Sequence, residues 1–409
     1  MKGRLLVGVL LLAAFSIWKG AVPAFQRVYS DFSNYYVSAR LILENQPLDS
    51  LYNDGWFRKK ARAYGIEEPG KFSPFPPITA FALLPLAGFE PLSAQRVFTV
   101  LNLILILGCI WLVRDLTGWS WNHSALLILV SGLGLANNLR FGQVYIVVLF
   151  LTLLSYSAAL QNKNPLSGGL LAGVAAFKYF TIIYLPAYWL HGKKSLVYLS
   201  LGALILLIIF QYLFFGRALM IEFFANSFLP HLDAQLSGQG VYHFYFQSWE
   251  GFLQFLFVAD PQYNPDPLVS WPEGKSWVKY SILLILLSCI VLGITKLKTF
   301  PIDRRLPWYL CLFGFGGFTL IPASATYHFV MMAFPVMVYC SIPSLHRNWK
   351  ALVLFLYGCI GFIPYGLTHW LGMHAGIFFG FPRLWAVHLL FFTLLISIYR
   401  VHRSELNSR

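Results

Sequence analysis

Long apolar runs alternate with short polar stretches along almost the whole chain, and their lengths decide the architecture. About 20 consecutive apolar residues span a bilayer as a helix. Runs at about 4–22, 93–114, 121–137, 142–160, 195–215, 277–296, 306–321, 328–343, 350–366 and 384–400 therefore predict membrane-crossing helices. Segment 168–190 reads as one more until Lys178, whose charge in mid-span is expensive unless it faces a cavity or marks a break. Basic residues flank that segment on both sides, Lys163 before it and His191-Gly192-Lys193-Lys194 after it. Both ends are then cytoplasmic, which predicts a hairpin of two short helices with Lys178 near its outer tip. The expectation is an all-α polytopic membrane protein with about twelve crossings, built as a single domain over residues 1–409.

Short loops rich in Lys and Arg orient such helices. Lys2 and Arg4 place the N-terminus in the cytoplasm, and Arg400, Arg403 and Arg409 place the C-terminus there. Lys296, Lys298, Arg304 and Arg305 mark one inner loop and Arg347 and Lys350 another. The two large loops, 23–73 and 216–276, then lie outside; the second carries His231, Asp233, His243, Gln247 and Glu250. Leu5 to Phe15 with Ala21-Val22-Pro23-Ala24 also reads as a cleavable signal, but in a polytopic chain the same pattern serves as a retained first helix. Phe72-Ser73-Pro74-Phe75-Pro76-Pro77 through Leu84-Pro85-Leu86 is short and bracketed by prolines, as expected of a re-entrant or interfacial piece.

The chemistry concentrates just after the first helix. In Ser30-Asp31-Phe32-Ser33-Asn34-Tyr35-Tyr36-Val37-Ser38-Ala39-Arg40, the residues Phe32, Tyr35, Tyr36 and Ala39 recur at helical spacing, with Ser33, Asn34 and Arg40 opposite. This pattern predicts a helix lying on the membrane surface, with Asp31 at its start. A carboxylate there can take a proton from a hydroxyl held at the interface. Its plainer role is to cap the helix by accepting from free backbone N–H groups.

Composition narrows the choice. The chain has 409 residues, 58% hydrophobic and only 11% charged, against roughly a quarter charged in soluble domains. The net charge of +14 is scattered in short clusters between apolar runs, a topology signal and not a nucleic-acid groove. Cys109, Cys289, Cys311, Cys340 and Cys359 sit in or beside apolar segments without metal-ligand spacing and read as small buried residues. His369 and His374 bring no carboxylate with them, so no metal is expected. No Gly-rich phosphate loop or nucleophile elbow is present, and a nucleotide donor would be on the wrong side of the membrane for an external site.

At the same outer level as Asp31 the predicted topology places Lys178, Arg140 and His328, donors able to stabilise a departing phosphate. Set against this are snorkelling for Arg140, a core histidine for His328 and a cavity-lining structural role for Lys178.

The motifs, taken in order, resemble a known family. Asp31-Phe32-x-x-Tyr35-Tyr36-x-x-Ala39-Arg40, Leu51-Tyr52, Phe72-Ser73-Pro74-Phe75-Pro76-Pro77, Gly142-Gln143-Val144, the glycines of Gly169 to Lys178, Gln247-Ser248-Trp249-Glu250-Gly251 and Pro322-Ala323-Ser324-Ala325-Thr326-Tyr327-His328 are similar to those of GT-C fold glycosyltransferases, most closely glycosyltransferase family 87. The sequence departs from the pattern at Ala323-Ser324-Ala325-Thr326 and in lacking Asn before Gln247. The resemblance implies an inverting transfer of a hexose, mannose in the family's named members, from a polyprenyl-phosphate sugar to an acceptor glycan or glycolipid hydroxyl on the extracytoplasmic face of the inner membrane. It implies Asp31 as base. Together with the predicted topology this puts His328, Lys178 and Arg140 on the donor phosphate, with Tyr35, Gln143, Gln247 and Tyr327 as candidate substrate contacts; no cofactor is expected, and no acidic pair compels a metal, although Asp49 and Asp54 in the same loop leave that alternative open. The partners implied are the bilayer, the lipid-linked donor and the glycan acceptor, with no nucleic acid. A rival class is a transporter or lipid flippase, in which Asp31 and Lys178 are coupling charges; it calls for repeated broken helices, and no strict internal repeat is visible. A non-catalytic scaffold is the third possibility and predicts that Asp31→Asn is silent.

Overall fold

The computed structural model describes residues 2–232 and 242–407; Asp233 of the second long loop lies outside the described residues. Among the described residues the regular elements are all helices, apart from a lone bridge between Asp260 and Asn264. They form two compact units, one of Met1–Ile182 and Ser195–Leu232, the other of Ile183–Lys194 and Asp233–Arg409.

Among the described residues five helices are long and apolar enough to cross a bilayer: Gly3–Gln26, Pro91–Thr117, Lys194–Leu232, Pro272–Leu297 and Pro382–Arg403. Two bent pairs raise the number to as many as seven, Trp121–Leu129 with Leu133–Phe141 (70°) and Arg347–Phe362 with Tyr365–His374 (89°). Each bend has a local cause. Gly132 turns the first at a φ of +54°, a conformation open to glycine. Pro364 interrupts the second, because it lacks an N–H and disfavours helical backbone at Ile363 before it. The sequence count of about twelve draws on further segments that form shorter helices, among them Tyr145–Leu160, Thr326–Ser341 and Asn164–Phe177. At about 1.5 Å per residue these fall short of a hydrocarbon core of roughly 30 Å.

The Asn164–Phe177 helix stops where the sequence places a charge. Lys178 adopts a φ of −143°, and a tight 3-10 turn over Tyr179–Tyr184 follows it. The first large loop likewise contains the expected helix, Ser30–Leu43. Its surroundings differ from the expectation of a surface helix: every residue from Phe32 to Ala39 is buried, Ser33 and Asn34 included. Local hydrogen bonds make burial of its hydroxyls tolerable. Ser33 donates to the Ser30 carbonyl (2.6 Å) and accepts from the Gly70 N–H (2.9 Å), while Ser38 donates to the Asn34 carbonyl (2.8 Å). Tyr36 and Arg40 reach the carbonyls of Phe89 (2.7 Å) and Ala87 (2.8 Å), fastening the helix to the chain beyond the proline-rich segment.

One buried side chain ties the first helix to the Pro91–Thr117 helix. Gln95 donates to the carbonyls of Ala24 (2.8 Å) and Arg27 (2.7 Å) and accepts from the Tyr29 N–H (3.1 Å). It thereby satisfies the backbone of the turn that leads into the Ser30–Leu43 helix.

In the second unit Gln247 plays a comparable part. Its amide donates to the Phe244 and Gly380 carbonyls (2.8 and 2.9 Å) and accepts from the Arg383 N–H (3.0 Å). Phe244, Phe252, Phe255 and Phe381 pack into one aromatic cluster beside it. Glu250, buried, pairs with Lys275 and with Lys279, the latter at 2.9 Å, joining the Trp249–Phe257 helix to the Pro272–Leu297 helix.

Candidate active site

Asp31 occupies the first turn of the Ser30–Leu43 helix. The cap position itself is Tyr29, whose side chain makes no capping bond. Asp31 is half-buried, whereas the eight residues after it are buried. The helix is not one of the candidate membrane spans. Burial pushes the Asp31 carboxyl above its ordinary range; a hydrogen bond from Gln143 and the charge of Lys178 act against that rise. A carboxylate in this setting is a stronger base than one in water, and the two opposing groups favour its ionised form.

Lys178 lies in an aromatic box. Its Nζ sits 3.9 Å from the centre of the Phe75 ring, 4.9 Å from that of Tyr145 and 5.6 Å from that of Tyr35. Each face attracts a cation by about 0.5–2 kcal/mol, which offsets part of the cost of desolvating the ammonium. Tyr35 stacks on Phe75 (4.8 Å between centroids, 24° between planes), and the Tyr52 hydroxyl holds the Phe75 carbonyl at 2.7 Å. Here the local sequence explains the geometry. The proline-rich Phe72 to Pro77 segment carries Phe75 to Tyr35, and the helix break at Lys178 releases the ammonium from its own helix.

Gln143 stands between these parts. The Leu133–Phe141 helix ends in Gly142 at a φ of +64°, and the Gln143 N–H bonds back to the Asn138 carbonyl at 3.0 Å. A Cβ on Gly142 would fall 2.6 Å from that of Phe32, so only glycine permits this turn to lie against the Asp31 helix. The Gln143 side chain accepts the Tyr35 hydroxyl at 2.9 Å. Arg140, in the last turn of the same helix, lies over the Tyr29 ring at 5.1 Å, and Arg27 lies over that ring at 4.5 Å. Arg140 is half-buried, and its Nε has no hydrogen-bond partner.

The structure thus gathers Asp31, Tyr35, Gln143 and Lys178, and sets Arg140 on the residue that begins the Asp31 helix. Gln247, Tyr327 and His328 belong to the second unit. There the His328 Nδ1 accepts from the Ala325 N–H at 2.9 Å, which puts the proton on Nε2 and leaves that nitrogen as the donor. Tyr327 packs edge-on against the His328 ring, and both residues are half-buried. Gln247 spends both amide N–H groups on backbone carbonyls.

Sequence reasoning did not single out Phe75 and Tyr145 as partners of Lys178, or Gln95 as the latch behind Tyr29. Phe75 lay within a quoted motif, and its signal was the proline framing. Tyr145 sits at the start of an apolar helix, where nothing in the sequence separates it from core.

No curated protein sequence matches the chain. The family model of glycosyltransferase family 87 matches residues 74–295, just over half of the chain. Phe75, Arg140, Gln143, Tyr145, Lys178 and Gln247 fall within the match; Asp31, Tyr35, Tyr327 and His328 lie outside it. Since the match carries most of the residues that meet around Asp31, the chain belongs to glycosyltransferase family 87 and is a glycosyltransferase.

Proposed function

We propose that the protein is an inverting hexosyltransferase that moves a sugar, mannose in the first instance, from a polyprenyl-phosphate carrier to a hydroxyl of an acceptor glycan or glycolipid. The observation that carries the reading is the half-buried Asp31 beside Gln143 and Lys178, at the start of the helix and directly ahead of its enclosed stretch Phe32 to Ala39. Asp31 takes the acceptor proton as the acceptor oxygen attacks the anomeric carbon. The bond from that carbon to the phosphate oxygen breaks on the opposite face, its electron pair leaves with the phosphate, and configuration inverts. Phosphate is a good leaving group once its charge is stabilised, so one carboxylate suffices where an inverting glycosidase uses two. Lys178 and Arg140 are the cations of the first unit suited to that task. His328 is assigned the same role from the predicted topology and the sequence resemblance, and no metal is invoked.

A lipid-borne donor fits a chain with several membrane-spanning helices, because donor headgroup and enzyme then meet at the same interface. We place the site on the extracytoplasmic face of the inner membrane, with both termini inside and about twelve crossings in all, counting the short helices as membrane-embedded.

The test is transfer of radiolabelled sugar from synthetic polyprenyl-phosphate-mannose, with glucose and arabinose analogues alongside, into lipid and glycan acceptors by membranes carrying wild type or Asp31→Asn. Wild-type transfer that falls by about a thousandfold in the variant is the expected result. Equal transfer by both removes Asp31 from the chemistry. Absence of transfer from every donor sinks the polyprenyl-phosphate reading.

A further inference from the structure

We infer that Gln143 is a positioning residue that fixes the Asp31 carboxylate, anchored for that purpose by the Tyr35 hydroxyl. Its importance for transfer rests on the reading of Asp31 as base. The donor and acceptor chemistry permits one arrangement. A carboxylate only accepts hydrogen bonds, so the end of the Gln143 amide that bonds Asp31 is its N–H₂ group. The amide oxygen then faces the other way, and the structure places the Tyr35 hydroxyl on it at 2.9 Å.

Asp31 and Tyr35 are four residues apart on one helix, so a single amide bridges two successive turns of the same face. The amide is itself immobile. Gln143 is 2% exposed, its backbone N–H is bonded to Asn138, and Gly142 holds the turn against Phe32. Tyr35 is fully buried and stacked on Phe75, so its hydroxyl cannot swing away. An amide this enclosed is shut off from a sugar, which assigns Gln143 to the base and not to the substrate. Holding one carboxylate oxygen leaves the other to receive the acceptor proton.

The experiment reads Asp31 directly. Dicyclohexylcarbodiimide modifies protonated carboxyls in apolar surroundings, and peptide mass spectrometry across a pH series gives the midpoint of modification at Asp31 without any need for turnover. Wild type, Gln143→Met and Tyr35→Phe are compared in membranes, with transfer kinetics measured beside them. Loss of a hydrogen bond to the charged form raises the midpoint, by about one pH unit for Gln143→Met and by less for Tyr35→Phe. kcat falls about 10- to 100-fold with the KM for the donor within about twofold. An unmoved midpoint in both variants overturns the inference, as does a loss confined to KM, which makes Gln143 a substrate contact. If Gln143→Met does not accumulate, Tyr35→Phe, which removes one oxygen from a retained ring, carries the test. Should Asp31→Asn retain transfer while the midpoints still shift, the base assignment fails and the Gln143–Asp31 link stands.

Discussion

Asp31 and Lys178 show how a buried site sets the state of its groups. The role proposed for Asp31 requires it ionised, and burial holds its carboxyl above the ordinary range. Transfer therefore declines on acidification at a higher pH than an exposed aspartate would give. Lys178→Met removes one of the two influences that oppose this rise, so the acid limb of the pH–rate profile moves further up. The rate at the optimum falls by about a hundredfold or more, through loss of a preorganised cation in a water-poor setting. An acid limb that stays in place in Lys178→Met would separate the ammonium from Asp31. Lys178 was legible as unusual because a charge in an apolar run stands out; its aromatic box was not, since Phe75, Tyr145 and Tyr35 are ordinary apolar positions in their own segments.

Elements meet here through close backbone approaches. Gly70 and Gly142 press on the Asp31 helix from different segments: a Cβ at Gly70 would lie 2.3 Å from the Ser30 carbonyl oxygen, and one at Gly142 would lie 2.6 Å from the Phe32 Cβ. Gly70→Ala and Gly142→Ala each lower stability by about 1–3 kcal/mol, seen as a reduced thermal midpoint of the detergent-solubilised protein, and reduce transfer with it. Gly173→Ala is the control, for its Cβ meets nothing within 4 Å; its midpoint matches wild type. Gln95→Leu belongs with the first pair. It strands the Ala24 carbonyl and the Tyr29 N–H in a buried place, at a cost of about 1–3 kcal/mol for each group left without a partner, and frees the part-buried Arg27 carbonyl. A Gln95→Leu midpoint equal to wild type would show that the latch is dispensable. The sequence marks the Ser30–Leu43 helix by its period, but it misjudges the surroundings. Ser33 and Asn34 look like a solvent face, yet the fold covers both: the Ser33 hydroxyl pairs with the Ser30 carbonyl and the Gly70 N–H, and the Gly70 segment packs over the Asn34 side chain.

For the whole molecule, the orientation argument is open to a direct check. In a background with the native cysteines replaced, Gly65→Cys in the first large loop reacts with a membrane-impermeant maleimide added to spheroplasts, and Lys298→Cys reacts only after permeabilisation. The reverse pattern inverts the topology and puts the proposed site on the cytoplasmic side. The same approach, applied at the ends of the short helices Tyr145–Leu160 and Thr326–Ser341, decides which of them cross.

By itself the sequence determined the helical class, the membrane as solvent, the helix that carries Asp31 and the break at Lys178. These follow from apolar run lengths, helical periodicity and the energetic isolation of a charge, all of which are local properties of the chain. It also held the order of motifs that marks the family. Only the tertiary structure decided that Asp31, Phe75, Gln143, Tyr145 and Lys178 share one site, because these positions are distant in sequence and meet through packing that no local period encodes. The bent pairs were likewise beyond the sequence count, since the turn at Gly132 and the stop at Pro364 change a helix's direction without changing its hydropathy. The same limit applied to Gln143: a glutamine beside a glycine reads as a free polar contact until the fold shows both ends of its amide engaged.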